Sequence, residues 1–288
     1  MSGVGDHNGF LGALTKDGLW CQLVPHGDGS KQTLQSPNNH DVPKLAHVAI
    51  AGNGRTAITF KQAPNAGLSH VSEFADFAHF NRWFEDPASE EARPEKHQMI
   101  PGRMKQLIAN ATTFICLTED GNVFTWGDAR HRSLARTTTG DGATAASEAG
   151  LVQALGGIKI KKISAGGWMG AALSEDGAAY VWGVGTPGRE GTIKALSNLD
   201  SSEVALVDIA GEDGEPLDVL DIGVGDGHVV LLLENEKVFT AGDNSNGQLG
   251  LGKGADFVED WKETSFEGKA NCCEVIASSK STFAMSRA

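Results

Sequence analysis

No apolar run in this chain reaches the roughly 18 residues that a membrane-spanning helix needs, and no basic-then-apolar leader opens it. Cysteine is scarce. Cys21, Cys116, Cys272 and Cys273 are the four in 288 residues. None stands in a Cys-x-x-Cys pair, and vicinal Cys272 and Cys273 are a poor start for a structural disulfide. The four therefore read as reduced thiols of a protein of the cytoplasm or nucleus. Positive charge is also short. Lys and Arg number 24 against 37 Asp and Glu, a net charge of −13, which argues against non-specific nucleic-acid binding through a basic surface. The one short basic run, Lys159, Lys161 and Lys162, alternates with isoleucine and reads as the solvent face of a strand. No direct nucleic-acid partner and no membrane partner are expected.

The motifs of common chemistry are missing as well. There is no GxxxxGK[ST] phosphate loop, no GxGxxG between a strand and a helix, and no HExxH. No Ser, His and Asp set is signalled. The nine histidines are scattered, and His228 falls at a repeat position where it reads as structural. Glu90 and Glu91 lie in a polar stretch and read as solvated. The pattern Asn110-Ala-Thr112 fits a glycosylation sequon, to which no function is attached in a chain without a secretory signal. No catalytic residue, no metal and no cofactor is expected.

What the chain has in excess is glycine, 37 residues, without a Gly-X-Y period. Frequent glycine between short alternating segments points to an all-β protein with many tight turns. A small-residue motif recurs: AGNGRTAITF from Ala51, ANATTFICLT from Ala109, AGGWMGAALS from Ala165, VGDGHVVLLL from Val224 and ASSKSTFAMS from Ala277. The intervals are 58, 56, 59 and 53 residues, and DHNGFLGALT at Asp6 adds a copy 45 residues before Ala51.

Each copy continues in the same way. An apolar strand follows the motif, then a turn at Asp17-Gly18, Asp120-Gly121 or Asp176-Gly177. Asp-Gly is a strong hairpin signal because glycine accepts φ > 0. The return strand alternates and stops at Trp126-Gly127 or Trp182-Gly183. The fourth hairpin has Asn235-Glu236 at its turn instead. Units of about 50 residues built from short antiparallel strands indicate a β-propeller, in which neighbours bury each other's faces. The copy from Ala51 carries an extra segment. After a longer loop, Gln62–Gly67, and the strand LSHVSEF, the residues Phe74, Phe77, Phe80 or Trp83, and Phe84 recur at helical spacing. Ser72 or Asp76 can cap this helix, Pro87 ends it, and a polar loop follows. The whole chain, 1–288, is expected to be a single propeller domain with this helical insertion at about 74–99. The aromatics either pack on the blade or dock a partner.

The small-residue motif, the hairpin, Trp-Gly and then GDNSNGQLGLGKG resemble the regulator of chromosome condensation repeat. That family forms seven-bladed propellers, of which this chain is expected to hold about five to six blades and to lack an N-terminal part. The stretches HVSEFADFAHFNRWFEDP, WGDARHRSLAR and GGWMGAALSEDGAAYVWG look like fungal alpha-tubulin suppressor-like members. That resemblance implies a non-catalytic adaptor. Its partner would be a small zinc-containing electron-carrier protein acting in tRNA wobble-uridine modification and diphthamide synthesis. The founding branch implies an alternative, guanine-nucleotide exchange on a Ran-like GTPase with chromatin association. No basic tail supports that branch, and no cluster of acids or metal ligands supports a propeller enzyme. Arg130, His131 and Arg132, just after a Trp-Gly, and Trp168 are the candidate partner-binding residues.

Overall fold

The computed structural model describes residues 2–6, 9–25, 32–36, 42–61, 67–211, 213–252, 254–264 and 272–286. Among them are twenty-two strands and one α-helix, so the protein is all-β. The loop read at Gln62–Gly67 lies outside the described residues except for Gly67. Two compact units divide the chain, residues 1–120 and 121–288.

In the first unit, β1 (Ser2–Asp6), β2 (Gly9–Leu14), β3 (Trp20–Pro25) and β4 (Gln32–Gln35) form one antiparallel sheet in chain order. A second follows as β5 (Leu45–Ile50), β6 (Thr56–Phe60), β7 (Leu68–Phe74) and β8 (Lys96–Pro101). The unit ends on the pair β9 (Met104–Ala109) and β10 (Thr113–Thr118). The second unit opens on the pair β11 (Val123–Gly127) and β12 (Gly150–Leu151). Two four-stranded sheets come next. The first holds β13 (Ile160–Gly166), β14 (Trp168–Ser174), β15 (Ala179–Val184) and β16 (Ala205–Leu206). The second holds β17 (Val219–Val224), β18 (His228–Leu233), β19 (Val238–Asp243) and β20 (Phe257–Thr264). The hairpin β21 (Cys272–Ser278) and β22 (Ser281–Ser286) closes the series. Taken in chain order, the strands make five sets of four and a last pair, the pattern of five to six propeller blades.

The repeated residues have repeated jobs. The small-residue motif is the turn between the first two strands of a set, and there neighbouring sheets touch. The amides of Gly52 and Asn53 donate to the carbonyls of Asn110 and Ala111 at 3.0 and 2.8 Å. A Cβ on Gly166 would stand 2.6 Å from the Val224 carbonyl oxygen. The Asp-Gly turn staples the opposite end. Gly18, Gly121 and Gly177 have φ of +84 to +88°. Their carbonyls accept from the amides of Leu45, Ile160 and Val219, each at or just before the first strand of the next set, at 2.8, 3.3 and 2.9 Å. The fourth hairpin places Glu236 at that position with φ +64°, and the Asn235 side chain accepts from the Lys237 amide. Asn110, the sequon residue, is buried and its Oδ1 accepts from the amides of Thr112 and Thr113.

One member of the run Lys159, Lys161 and Lys162 departs from the solvent-face reading, while Lys159 is exposed. Lys162 is half-buried, with its Nζ 2.5 Å from Oδ1 of buried Asp221. It ties β13 to β17 rather than facing water.

The helix α1 spans Phe77–Glu85. Asp76 caps it, accepting from the His79 amide at 2.8 Å, whereas Ser72 belongs to β7. Phe80, Trp83 and Phe84 are buried in the core of the first unit with Trp20 and Phe74. Trp20 meets Phe80 edge-on at 5.6 Å, and its Nε1 donates to Oδ1 of Asn81. These aromatics stabilise the unit by burial and are not available to a partner.

Candidate protein-binding face

Two kinds of loop meet at one end of the second unit: the small-residue turns, and the loops that leave the third strand of each set. Strand β11 ends at Trp126-Gly127 and β19 ends at Gly242-Asp243. The glycine of Trp-Gly, at the last or next-to-last position of its strand, is there for a steric reason. Gly183 has φ +95°, and a Cβ there would fall 2.1 Å from the Trp168 carbonyl oxygen.

The two loops that follow Gly127 and Gly242 align residue for residue as GDARHRSLA and GDNSNGQLG. Asp128 Oδ1 accepts from the Arg130 amide at 2.9 Å, and Asp243 Oδ1 accepts from the Ser245 amide at 2.9 Å. Thr125 Oγ1 donates to the Leu134 carbonyl, and Thr240 Oγ1 to that of Leu249. The left-handed positions match too: Arg132 (φ +55°) stands where the other loop has Gly247 (φ +77°), and Ala135 (φ +48°) where it has Gly250 (φ +69°). His131 is left-handed as well, at φ +64°. The loop after β11 thus holds three non-glycine residues in a conformation that costs each of them about 1–3 kcal/mol.

That strained loop carries three of the sequence candidates, and the structure brings it against the fourth. The His131 ring meets the half-buried Trp168 edge-on at 5.9 Å. Buried Ser133 locks the pair from below. Its hydroxyl donates to the Trp168 carbonyl at 3.2 Å, and its carbonyl accepts from Nε1 of Trp182 at 3.1 Å. Arg130 is 77% exposed and reaches both carboxylate oxygens of Asp128. Its hydrogen bonds hold that carboxyl below the usual carboxylate range. Arg132 is engaged differently. Its Nη1 donates to the Leu199 carbonyl at 2.5 Å, an anchor that fixes the loop.

Sequence reasoning missed the next loops of the same end. Arg189 donates to Oδ2 of Asp243 at 2.7 Å and to Oγ of Ser245 at 2.5 Å. Thr186 donates to Oδ1 of Asp226 at 3.2 Å. The only signal for them is the repeat register, which places the residues after Gly183 opposite those after Gly242. Arg136 was missed as well. This buried guanidinium donates to the carbonyls of Thr125, Thr144, Ala145 and Glu148 and pins the loop that returns to β12. Burial lowers its pKa. His228 is fully buried, with Nε2 3.1 Å from the Thr282 hydroxyl. Among the described residues no group of three or more His, Cys, Asp or Glu is placed to hold a metal ion, and no helix is long and apolar enough to cross a membrane.

A rigid sheet frame with aromatic and charged loops at one end is the architecture of a β-propeller interaction module. Residues 219–248 match the regulator of chromosome condensation (RCC1) repeat. RCC1 domain-containing protein 1 of Mus musculus is 35% identical over 129 residues, 42% of this chain and 32% of that protein. The human E3 ubiquitin-protein ligase HERC2 is 33% identical over 138 residues, 48% of this chain and 3% of its own length. Among solved structures, Prp20p of Saccharomyces cerevisiae superposes with a TM-score of 0.62 at 14% identity, over 95% of this chain and 65% of that one. Yeast RCC1 (Prp20) bound to Kap60 gives the same TM-score at 13% identity, over 96% and 64%. The chain spans less than two thirds of each of these relatives. Residues 219–248 thus carry an RCC1 repeat, and the chain has the propeller fold of the solved structures it resembles.

Proposed function

We propose that this chain is a non-catalytic propeller adaptor that binds a protein partner through the loops at this end of the second unit. The observation that carries the proposal is the His131–Trp168 contact with Arg130 beside it. A half-buried tryptophan and an exposed arginine are residue types that concentrate binding energy in protein interfaces. Prp20p, which shares the fold, is described by its binding to Gsp1p and histones, and yeast RCC1 was solved bound to Kap60; partner binding is thus in keeping with the architecture. For the partner we propose the one implied by the sequence resemblance, a small zinc-containing electron-carrier protein, with roles in tRNA wobble-uridine modification and diphthamide synthesis in the cytoplasm and nucleus.

The second reading is nucleotide exchange on a Ran-like GTPase, favoured by the likeness to Prp20p. One experiment separates the two. The wild-type chain and a Trp168→Ala, Arg130→Glu variant are immobilised side by side, and captured proteins are quantified by mass spectrometry. The adaptor reading expects a small zinc protein on the wild type and at least a tenfold loss on the variant. Capture of a Ran-like GTPase whose nucleotide is released by the chain supports exchange. Equal recovery on both surfaces overturns the assignment of this face.

A further inference from the structure

The first unit holds a cleft that the adaptor reading does not use. Its volume is 430 Å³, within the range of small-ligand sites. Phe60 and Met104 form an apolar wall, and Lys61, Arg103 and Lys105 line the cleft with three cations against one carboxylate, Glu119. This concentration of positive charge stands out in a chain whose net charge is −13.

The sequence places the cations by simple periodicity. Arg103 and Lys105 flank Met104 at the start of β9, so their side chains share one side of the strand. Both are exposed, and neither makes an ion pair among the described residues. Lys61 follows β6 and donates to the Lys16 carbonyl at 2.5 Å, an anchor that leaves its charge uncompensated. The floor is fixed. His47 Nε2 is 3.2 Å from the Lys105 carbonyl, which can only accept, so Nε2 carries the proton and Nδ1 accepts from the Thr59 hydroxyl at 2.9 Å. The Ser69 hydroxyl donates to the Gly102 carbonyl and accepts from the Met104 amide, holding the turn that presents Arg103.

We infer that this cleft binds a small organic polyanion, with its anionic groups on Arg103, Lys105 and Lys61 and its apolar body against Phe60 and Met104. Unpaired cations around a concave, partly apolar site gain charge-assisted hydrogen bonds from such a ligand and lose none of their own. The anionic groups can be phosphates or clustered carboxylates, and the test distinguishes them.

Isothermal titration calorimetry of the full chain with ADP, inorganic pyrophosphate and citrate, in 50 mM salt, reads the binding directly. ADP binding with weaker pyrophosphate binding identifies a phosphate ligand that uses the apolar wall; citrate binding alone identifies a carboxylate ligand. Each of Arg103→Gln and Lys105→Gln weakens binding by about tenfold. The control Lys194→Gln removes an equal charge from an exposed pair with Asp260 in the other unit and leaves binding unchanged. All three positions are exposed, and matched melting curves establish that the variants fold. No heat with any of the three probes overturns the inference, as does binding that Lys194→Gln weakens as much as Arg103→Gln does.

Discussion

Replacing Gly177 by alanine tests the repeat logic at its most loaded point. Gly177 ends the Asp-Gly turn at φ +88°, where an L-residue costs about 1–2 kcal/mol. The new Cβ would also stand 2.7 Å from Cβ and Cγ of Asp218. Relief requires the turn to withdraw from the next sheet, which stretches the 2.9 Å bond from the Val219 amide to the Gly177 carbonyl. A net backbone hydrogen bond is worth about 1 kcal/mol. The expected loss is therefore about 2–3 kcal/mol, measured by urea unfolding with the six tryptophans as the reporter. The fourth hairpin supplies the opposite experiment. Glu236 already occupies this position at φ +64° with an exposed side chain. Glu236→Gly should raise stability by about 0.5–1 kcal/mol, the strain relieved less the added freedom of the unfolded chain. If Gly177→Ala costs less than about 0.5 kcal/mol, or Glu236→Gly destabilises, the turn is not the staple argued above.

Three further outcomes are expected. Arg136→Met leaves the backbone carbonyls that the guanidinium bridges without their shared donor and should cost about 3 kcal/mol; hydrogen exchange should show the 137–149 loop opening first. Asp221→Ala removes the acceptor of both Lys162 Nζ and the Val275 amide. The buried amide dominates the expected loss of about 2 kcal/mol, since the half-exposed lysine is partly screened, and Asp221→Asn should recover about half of it in the same unfolding assay. Acid should weaken the fold through His47 and His228, whose pKa values burial pushes below 6.5. The unfolded chain binds their protons first, so stability is full above pH 6.5 and falls as the pH drops below it toward the folded values. His47→Gln should flatten that fall between pH 7 and 5 in a melting series.

Where a single turn or strand carried the information, the sequence was readable. Asp-Gly, Trp-Gly and the alternation between them are local, and the strands stand where those signals put them. Spacing alone drew the aromatic face of α1, and a residue immediately before Phe77 capped it. What escaped depends on pairs far apart in the chain. Lys162 looked solvated because its partner, Asp221, is 59 residues away on another sheet. The contact of His131 with Trp168 exists because one loop leans on the next turn, and no spacing between residues 131 and 168 announces it. Arg132 read as a partner-binding candidate because nothing local says that the Leu199 carbonyl accepts from it. The aligned loops did hold a clue. Arg132 and Ala135 occupy glycine positions of the repeat, and a residue kept where glycine belongs marks a loop that departs from the frame.

The adaptor account rests on which end of the second unit meets the partner, and site-specific photo-crosslinking measures that directly. A benzophenone amino acid is placed at His131, beside Trp168 at the start of β14, and in a second protein at Glu175, in the turn at the far end of the same strand. Each protein is irradiated with the captured partner. A covalent adduct from position 131 and none from position 175 is the expected result. An adduct from 175 with none from 131 would place the interface at the other end and contradict the account.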